Sequence, residues 1–211
     1  MTKIIFFIGN WIPSLITIGF IAVVYKFIAS IYLPIIIISY LYLLPVFFYR
    51  LFYLFYPKSY GKCELFSREY NLWWYGVQLQ TIYTRFSFLE EFLRIFPFIY
   101  SFWLRLWGSK IGALVFWSPK VLIVDRGDLN IGDHCIIGYG AKFTSHLLSK
   151  SHKRNILLYQ PINVGDRVVM GAEVNIGPGV QIHSDVVIAA LSTLLPLSEW
   201  KNSKEYSPKE I

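Results

Sequence analysis

Four histidines are available for proton chemistry in this chain, and one stands where a site is most easily built. His146 closes the run Phe143-Thr144-Ser145-His146, immediately before a stretch that loses its regular patterning. A neutral imidazole is the side chain whose ordinary pKa best suits accepting a proton near neutral pH. His146 therefore reads as a general base for an attacking alcohol or amine. The other histidines carry less. His134 sits at a mid-strand outward position, either solvated or on a packing face. His152 lies in the polar run Ser149 to Asn155 and reads as surface, and His183 has no evident chemical role. His146 and His152 are six residues apart with no third partner at matched spacing, which argues against a three-histidine zinc site. Cys63 and Cys135 have no partner at motif spacing and read as reduced thiols.

The element that must hold His146 is a solenoid. Aliphatic or aromatic residues recur at steps of six: Ile111, Trp117 and Ile123; Ile131, Ile137 and Phe143; then Val164, Met170, Ile176, Ile182, Ile188 and Leu194. A small or polar residue usually follows each, and four positions on comes a small or β-branched one, such as Val121, Cys135, Ala141, Val168 or Val180. A fixed short period of this kind marks a β-solenoid. Six residues make one short strand and one corner. Three units then close a triangular coil whose opening residues point inward and stack at about 4.8 Å. The twelve units group into four coils, 111–128, 131–146, 164–181 and 182–199. A two-residue slip at Arg126 to Asn130 and a long interruption from Leu147 to Asn163 break the rhythm. His146 thus stands at the corner where an embellishing loop leaves the solenoid, the usual place for function in such folds.

The first half of the chain has another character. Hydrophobic residues make up 55% of the protein and aromatics 18%, against only 16% charged, far from a soluble average. Ile4 to Tyr25 and Phe27 to Tyr49 are uncharged runs of 22 and 23 residues divided by Lys26, each long enough to cross a ~30 Å hydrocarbon core. They predict a transmembrane helical hairpin over 1–56, with kinked, re-entrant segments as the alternative because of the prolines at 13, 34 and 45. Lys3 precedes the first run, and Arg50, Lys58, Lys62 and Arg68 follow the second, while the turn carries only Lys26. That asymmetry places both ends, and the solenoid, on the cytoplasmic side of an inner (cytoplasmic) membrane. The net charge of +7 suits anionic lipid headgroups, and no basic motif with interleaved aromatics points to nucleic acid.

Residues 57–109 read as a linker. Pro57 to Gly61 is a turn, and Tyr70 to Arg85 and Phe88 to Trp107 are helical, the second bent or broken at Pro97. Glu90, Arg94, Ser101 and Arg105 share one polar face of it, which suits a helix lying in the membrane interface. Packing of its aromatics on the membrane helices or on a neighbouring subunit is the equal alternative. The solenoid spans 110–199, and 200–211 forms a polar tail.

From Ile131 to Leu195 the chain resembles the hexapeptide-repeat acyltransferases, of the maltose and galactoside O-acetyltransferase type and its surface-polysaccharide relatives. The motifs that carry the resemblance are Ile131-Gly132-Asp133, Thr144-Ser145-His146 with its polar loop, and the restart Pro161-Ile162-Asn163-Val164-Gly165-Asp166. Gly171, Pro178-Gly179-Val180 and Val187-Ile188-Ala189-Ala190 follow. The resemblance implies a left-handed parallel β-helix, a homotrimer with sites between subunits, acetyl-CoA as donor, and no metal. It implies that His146 is the catalytic base, deprotonating a hydroxyl that attacks the thioester. It also implies that Gly171, Ala172 and Ala190 line the donor's pantetheine arm. Asp125 falls where relatives carry an acidic residue near the acceptor, a solvated Asp beside a turn being the alternative. Membrane anchoring points to a lipid-linked sugar, glycolipid or nascent surface polysaccharide as acceptor. The chain departs from the family pattern at Val169, where relatives carry Trp, at Leu191, where they carry Gly, and at Leu195-Pro196, where they carry Thr-Lys. These departures favour a competing reading, a non-catalytic membrane-bound trimeric scaffold.

Overall fold

The computed structural model describes residues 9–96, 98–151 and 154–201. The readings of Pro97, His152, the start of the first apolar run and nearly all of the tail lie outside these residues. The chain opens with helices α1 (Ile12–Phe27) and α2 (Leu33–Phe55). Pro13 and Pro34 occupy their first turns, where a missing N–H removes no helical bond. Among the described residues, α2 is the one helix long and apolar enough to cross a membrane, at 23 residues and mean hydropathy 1.9. The shorter α1 packs against it, with the Tyr40 hydroxyl donating to the Ile16 carbonyl at 3.1 Å.

Pro45 does not break α2. A π-type turn over Ser39–Leu43 widens the helix just before it, and helical geometry resumes at Leu44. The carbonyls loosened there find donors outside the helix: the Tyr83 hydroxyl bonds to the Leu41 oxygen, and Trp103 Nε1 to the Tyr42 oxygen at 3.0 Å. The kink expected from the proline therefore becomes the place where α2 docks on the rest of the protein.

The linker holds a strand that its reading as turn and helices misses. β1 (Gly61–Glu64) precedes helices α3 (Arg68–Arg85), α4 (Phe88–Arg94) and α5 (Ile99–Trp107). The polar face of Glu90, Arg94, Ser101 and Arg105, read as that of an interfacial helix, is turned toward the solenoid. Arg105 donates to the Ile111 and Gly112 carbonyls at 2.7 Å each, Arg94 to the Val121 carbonyl at 2.8 Å, and Ser101 accepts from Trp117 Nε1 at 2.9 Å. The reason is that the first coil of the solenoid has no coil beneath it, so its open carbonyls need donors. The opposite side leaves Phe92, Ile95, Phe98 and Phe102 exposed.

From Lys110 the six-residue rule produces short strands on three parallel sheets. The first face carries β2 (Lys110–Ile111), β5 (Leu129–Ile131), β10 (Ile162–Val164), β13 (Gln181–Ile182) and β16 (Glu199–Trp200). The second carries β3 (Phe116–Trp117), β6 (Ile136–Ile137), β11 (Val169–Met170) and β14 (Val187–Ile188). The third carries β4 (Leu122–Ile123), β7 (Lys142–Phe143), β12 (Asn175–Ile176) and β15 (Thr193–Leu194). In-register pairing stacks Ile111, Ile131, Val164, Ile182 and Trp200 down the first face. Four coils close as the spacing predicts, and β16 begins a further one, so regular structure runs through Trp200 rather than stopping at 199.

Ten corners share one geometry. The third residue after the inward aliphatic takes a left-handed backbone conformation, as at Leu114, His134, Arg167, Glu173, Asp185 and Leu191, and its amide can bond the coil beneath. Examples are Arg167 to the Asp133 oxygen at 2.8 Å and Leu191 to the Ala172 oxygen at 2.8 Å. Such a conformation costs a non-glycine residue about 1–2 kcal/mol, offset here by corner-to-corner stacking. His134 is accordingly an exposed corner residue, not the mid-strand residue its spacing suggested. The two corners without this geometry follow Ile123 and Phe143, and they lie one above the other between the third and first faces. At the second, the expected loop is a hairpin, β8 (His146–Ser151) and β9 (Arg154–Tyr159), and β1 pairs antiparallel with β9.

The first irregular corner buries Arg126 entirely, and its guanidinium is paired with Glu90 of α4. Breaking a buried pair strands one charge, so Glu90→Gln is expected to cost about 3–5 kcal/mol. Glu91→Gln, next door but one-third exposed in its pair with Arg94, is expected to cost no more than about 1 kcal/mol. Thermal midpoints of the two variants in the same detergent check this.

Candidate active site

The two irregular corners bring Asp125 and His146 together. Asp125 Oδ2 lies 2.7 Å from His146 Nδ1 and also accepts from the Ser145 backbone N–H at 3.0 Å. Its other oxygen accepts from Trp73 Nε1 of α3 at 3.3 Å. The Trp73 ring also lies against the imidazole, with centroids 4.6 Å apart. The Asp125 side chain is 1% exposed and that of His146 is 18% exposed, so the carboxylate is sealed while the ring keeps one edge open. An ionised carboxylate can only accept, which puts the proton on Nδ1 and leaves the Nε2 lone pair free. This is the arrangement a general base requires: one nitrogen held, the other available.

Electrostatics support the pairing in both directions. Burial works to raise the Asp125 pKa, but the His146 charge and the hydrogen bonds from His146, Trp73 and Ser145 outweigh it and hold the carboxyl below its usual range. Burial works to lower the His146 pKa, and the Asp125 carboxylate outweighs it, so the imidazole titrates above its usual range. The imidazole's contribution to stability is full below its ordinary value of 6.5 and is lost as pH rises through its raised value. That of the carboxyl is full above 3.8 and is lost as pH falls through its lowered value, so the pair stabilises most between those limits.

A second buried carboxylate sits behind this pair. Asp128 Oδ1 accepts from Lys58 Nζ at 2.7 Å and the Tyr60 hydroxyl at 2.8 Å, and Oδ2 from the Tyr159 hydroxyl at 2.7 Å. Burial pushes its pKa up against the pull of Lys58, and the neighbouring Asp125 adds to the rise. Tyr159 closes β9, and its backbone pairs with both His146 and Gly61. The hairpin that carries His146 is therefore tied to β1 and the segment before it through backbone and side chain alike. Spacing alone singles out none of Trp73, Lys58, Asp128 or Tyr159. The available signal was the two-residue slip, which sets two acids and an arginine within four residues at the end of the first coil.

The residues expected along the donor lie elsewhere on the prism. Gly171, Ala172 and Ala190 share the corner between the second and third faces, in coils three and four. The coils approach so closely there that a Cβ on Gly171 would stand 2.4 Å from the Ala190 nitrogen. Leu191, 76% exposed, projects at the same corner. In one chain, then, the structure unites His146 with Asp125 and unites Gly171, Ala172 and Ala190, but sets the two groups on different corners. Asp125, expected beside an acceptor, is enclosed under the imidazole. His183 forms a surface pair with Glu199 at 2.8 Å. Cys135 is buried inside the second coil, as its spacing predicts, and Cys63 lies in β1.

With Asp125→Asn the counter-charge that lifts the imidazole is gone while burial remains. The His146 pKa, followed by NMR of labelled histidine, is expected above 6.5 in the parent protein and lower in the variant. An unchanged titration would contradict the pairing.

No family model matches this chain, and no curated protein matches it. Among solved structures it is similar to a hexapeptide-repeat-containing acetyltransferase from Vibrio cholerae, at 29% identity over 45% of this chain and 55% of that one, with a TM-score of 0.40. A structure of that acetyltransferase complexed with acetyl coenzyme A, from Vibrio cholerae O1 biovar eltor, aligns at 28% identity over 45% and 52%, with a TM-score of 0.40. A maltose O-acetyltransferase from Clostridium difficile 630 aligns at 16% identity over 55% and 75%, with a TM-score of 0.38. The chain spans about half the length of the first two.

Proposed function

We propose that this chain is a membrane-anchored O-acyltransferase that moves an acetyl group from acetyl-CoA to a hydroxyl of a membrane-associated sugar or polysaccharide precursor. The observation that carries the reading is the His146 imidazole, held on Nδ1 by a buried Asp125, flanked by Trp73, and open at Nε2. In this reading Nε2 takes the acceptor's hydroxyl proton as that oxygen attacks the thioester carbon. Backbone N–H groups at the coil corners steady the resulting oxyanion. Collapse breaks the carbon–sulfur bond, and the imidazolium returns its proton to the departing thiolate. Asp125 acts as a positioning residue: it selects the tautomer and stabilises the charged ring, without itself meeting the acceptor.

The wider assignment extends this reading. A left-handed winding and a homotrimer belong to this reading: Gly171, Ala172 and Ala190 lie on a different corner from His146, so a donor laid along them would need the His146 of a neighbouring copy. The reading anchors the chain in the inner membrane as a multi-pass hairpin with the solenoid in the cytoplasm; α2 and the apolar outer face of α4 and α5 support the anchoring, and the basic residues after α2 support the orientation. One observation favours the scaffold reading instead: Leu191 protrudes at the very corner where the donor would lie.

His146→Ala is expected to lower acceptor-dependent CoA release by roughly 10²–10⁴-fold, with acetyl-CoA binding retained. Release that survives the substitution unchanged would remove the base. No binding of CoA at millimolar concentration would favour the scaffold.

A further inference from the structure

The hairpin that carries His146 is fastened at its root to one buried residue, Asp128. On the outgoing leg, the Ser145 hydroxyl donates to the Asp128 carbonyl at 3.3 Å. On the returning leg, the Tyr159 hydroxyl donates to Asp128 Oδ2 at 2.7 Å. The legs are also joined to each other, the Gln160 N–H donating to the Ser145 carbonyl at 2.9 Å. His146 is the first residue beyond this root, and the Ser145 N–H bonds the same Asp125 oxygen that holds Nδ1. Asp128 therefore clamps both legs, and the setting of the imidazole depends on where the clamp sits.

What holds Asp128 comes from outside the solenoid. Lys58, just beyond the end of α2, is its one cationic partner among the described residues, and also donates to the Gly127 carbonyl at 2.8 Å. The same ammonium lies over the Tyr49 and Tyr53 rings of α2, at 5.3 and 5.2 Å from their centres. The titratable groups facing Asp128 are Lys58, Tyr60, Tyr159, Asp125 and, from α2, Tyr49 and Tyr53. A buried carboxylate deprived of its cation takes up a proton. The bond from Tyr159 then loses its charge assistance, which roughly halves its strength, and the Asp128 charge no longer acts on the imidazole. We propose that Lys58 is a positioning residue for His146, acting through Asp128, so that the seating of α2 sets the candidate base. The effect on rate rests on the acyl-transfer reading; the coupling to the imidazole rests on these contacts alone.

The test follows His146 by NMR of labelled histidine in the full chain in detergent. Against burial, the charges of Asp125 and Asp128 hold the imidazole pKa up, so Lys58→Met and Asp128→Asn are each expected to lower it. The double variant is expected to titrate as Asp128→Asn does, since Lys58 acts through that carboxylate. Where Lys58→Met alone fails to fold, the double variant, which strands no buried carboxylate, carries the comparison with Asp128→Asn. Lys58→Met is also expected to lower kcat for CoA release about tenfold and to leave KM for acetyl-CoA unchanged, because Gly171, Ala172 and Ala190 lie on another corner. Glu64→Gln, which removes an exposed tie between β1 and Arg154 of β9, is expected to alter neither measure. A His146 titration that Asp128→Asn or Lys58→Met leaves unchanged would overturn the proposal. So would a double variant whose shift is the sum of the two. CoA release that survives His146→Ala would sink the acyl-transfer reading alone, and the titrations would still decide this inference.

Discussion

Eight residues separate Ile123 from Ile131 where six would close the corner, and the longer turn carries charge into the interior. Asp125, Arg126 and Asp128 are each at most 3% exposed. A charge so buried persists only with a partner, and each of these takes its partners from a different part of the chain. Asp125 is held by Trp73 of α3 and by His146 of the hairpin, Arg126 by Glu90 of α4, and Asp128 by Lys58, Tyr60 and Tyr159. One irregular corner therefore dictates where the helices, β1 and the hairpin sit. The candidate base is a by-product of that obligation: its second nitrogen is left open because the first is needed by the carboxylate.

The helices next to the solenoid obey a related rule. A solenoid's first coil exposes a row of unpaired carbonyls, and the polar face of α4 and α5 covers them through Arg94 and Arg105. Spending the polar face on the protein leaves aromatics outside. In water that would be a liability, whereas beside a bilayer it is compatible with an apolar surround. The same economy appears in α2, where the carbonyls loosened ahead of Pro45 become docking points for Tyr83 and Trp103.

Much of the solenoid was legible from spacing, because inward stacking demands an aliphatic residue at every sixth position whatever surrounds it. Ile137, Met170 and Ile188 sit where their positions require, and so does Cys135. The helical face of Glu90, Arg94, Ser101 and Arg105 was equally legible, but its direction was not. A hydrophobic pattern tells that a helix has two faces; which one meets protein depends on what the neighbour lacks. Likewise the segment after His146 lost its period and read as a loop, since a hairpin paired to a strand some ninety residues earlier leaves no local repeat.

By itself, the order of residues determined the coil, its corners, the apolar length of α2 and the histidine at the break in rhythm, all of which follow from short-range periodicity and composition. Only the tertiary structure decided that Asp125 lies buried under His146, that Trp73 covers the ring, and that the linker's charges face inward. Those outcomes rest on partners from 20 residues away, as for Asp125 and Ser145, to 70, as for Lys58 and Asp128. A buried charge selects its partner by distance and geometry in the folded chain, and neither is written in the spacing of the sequence.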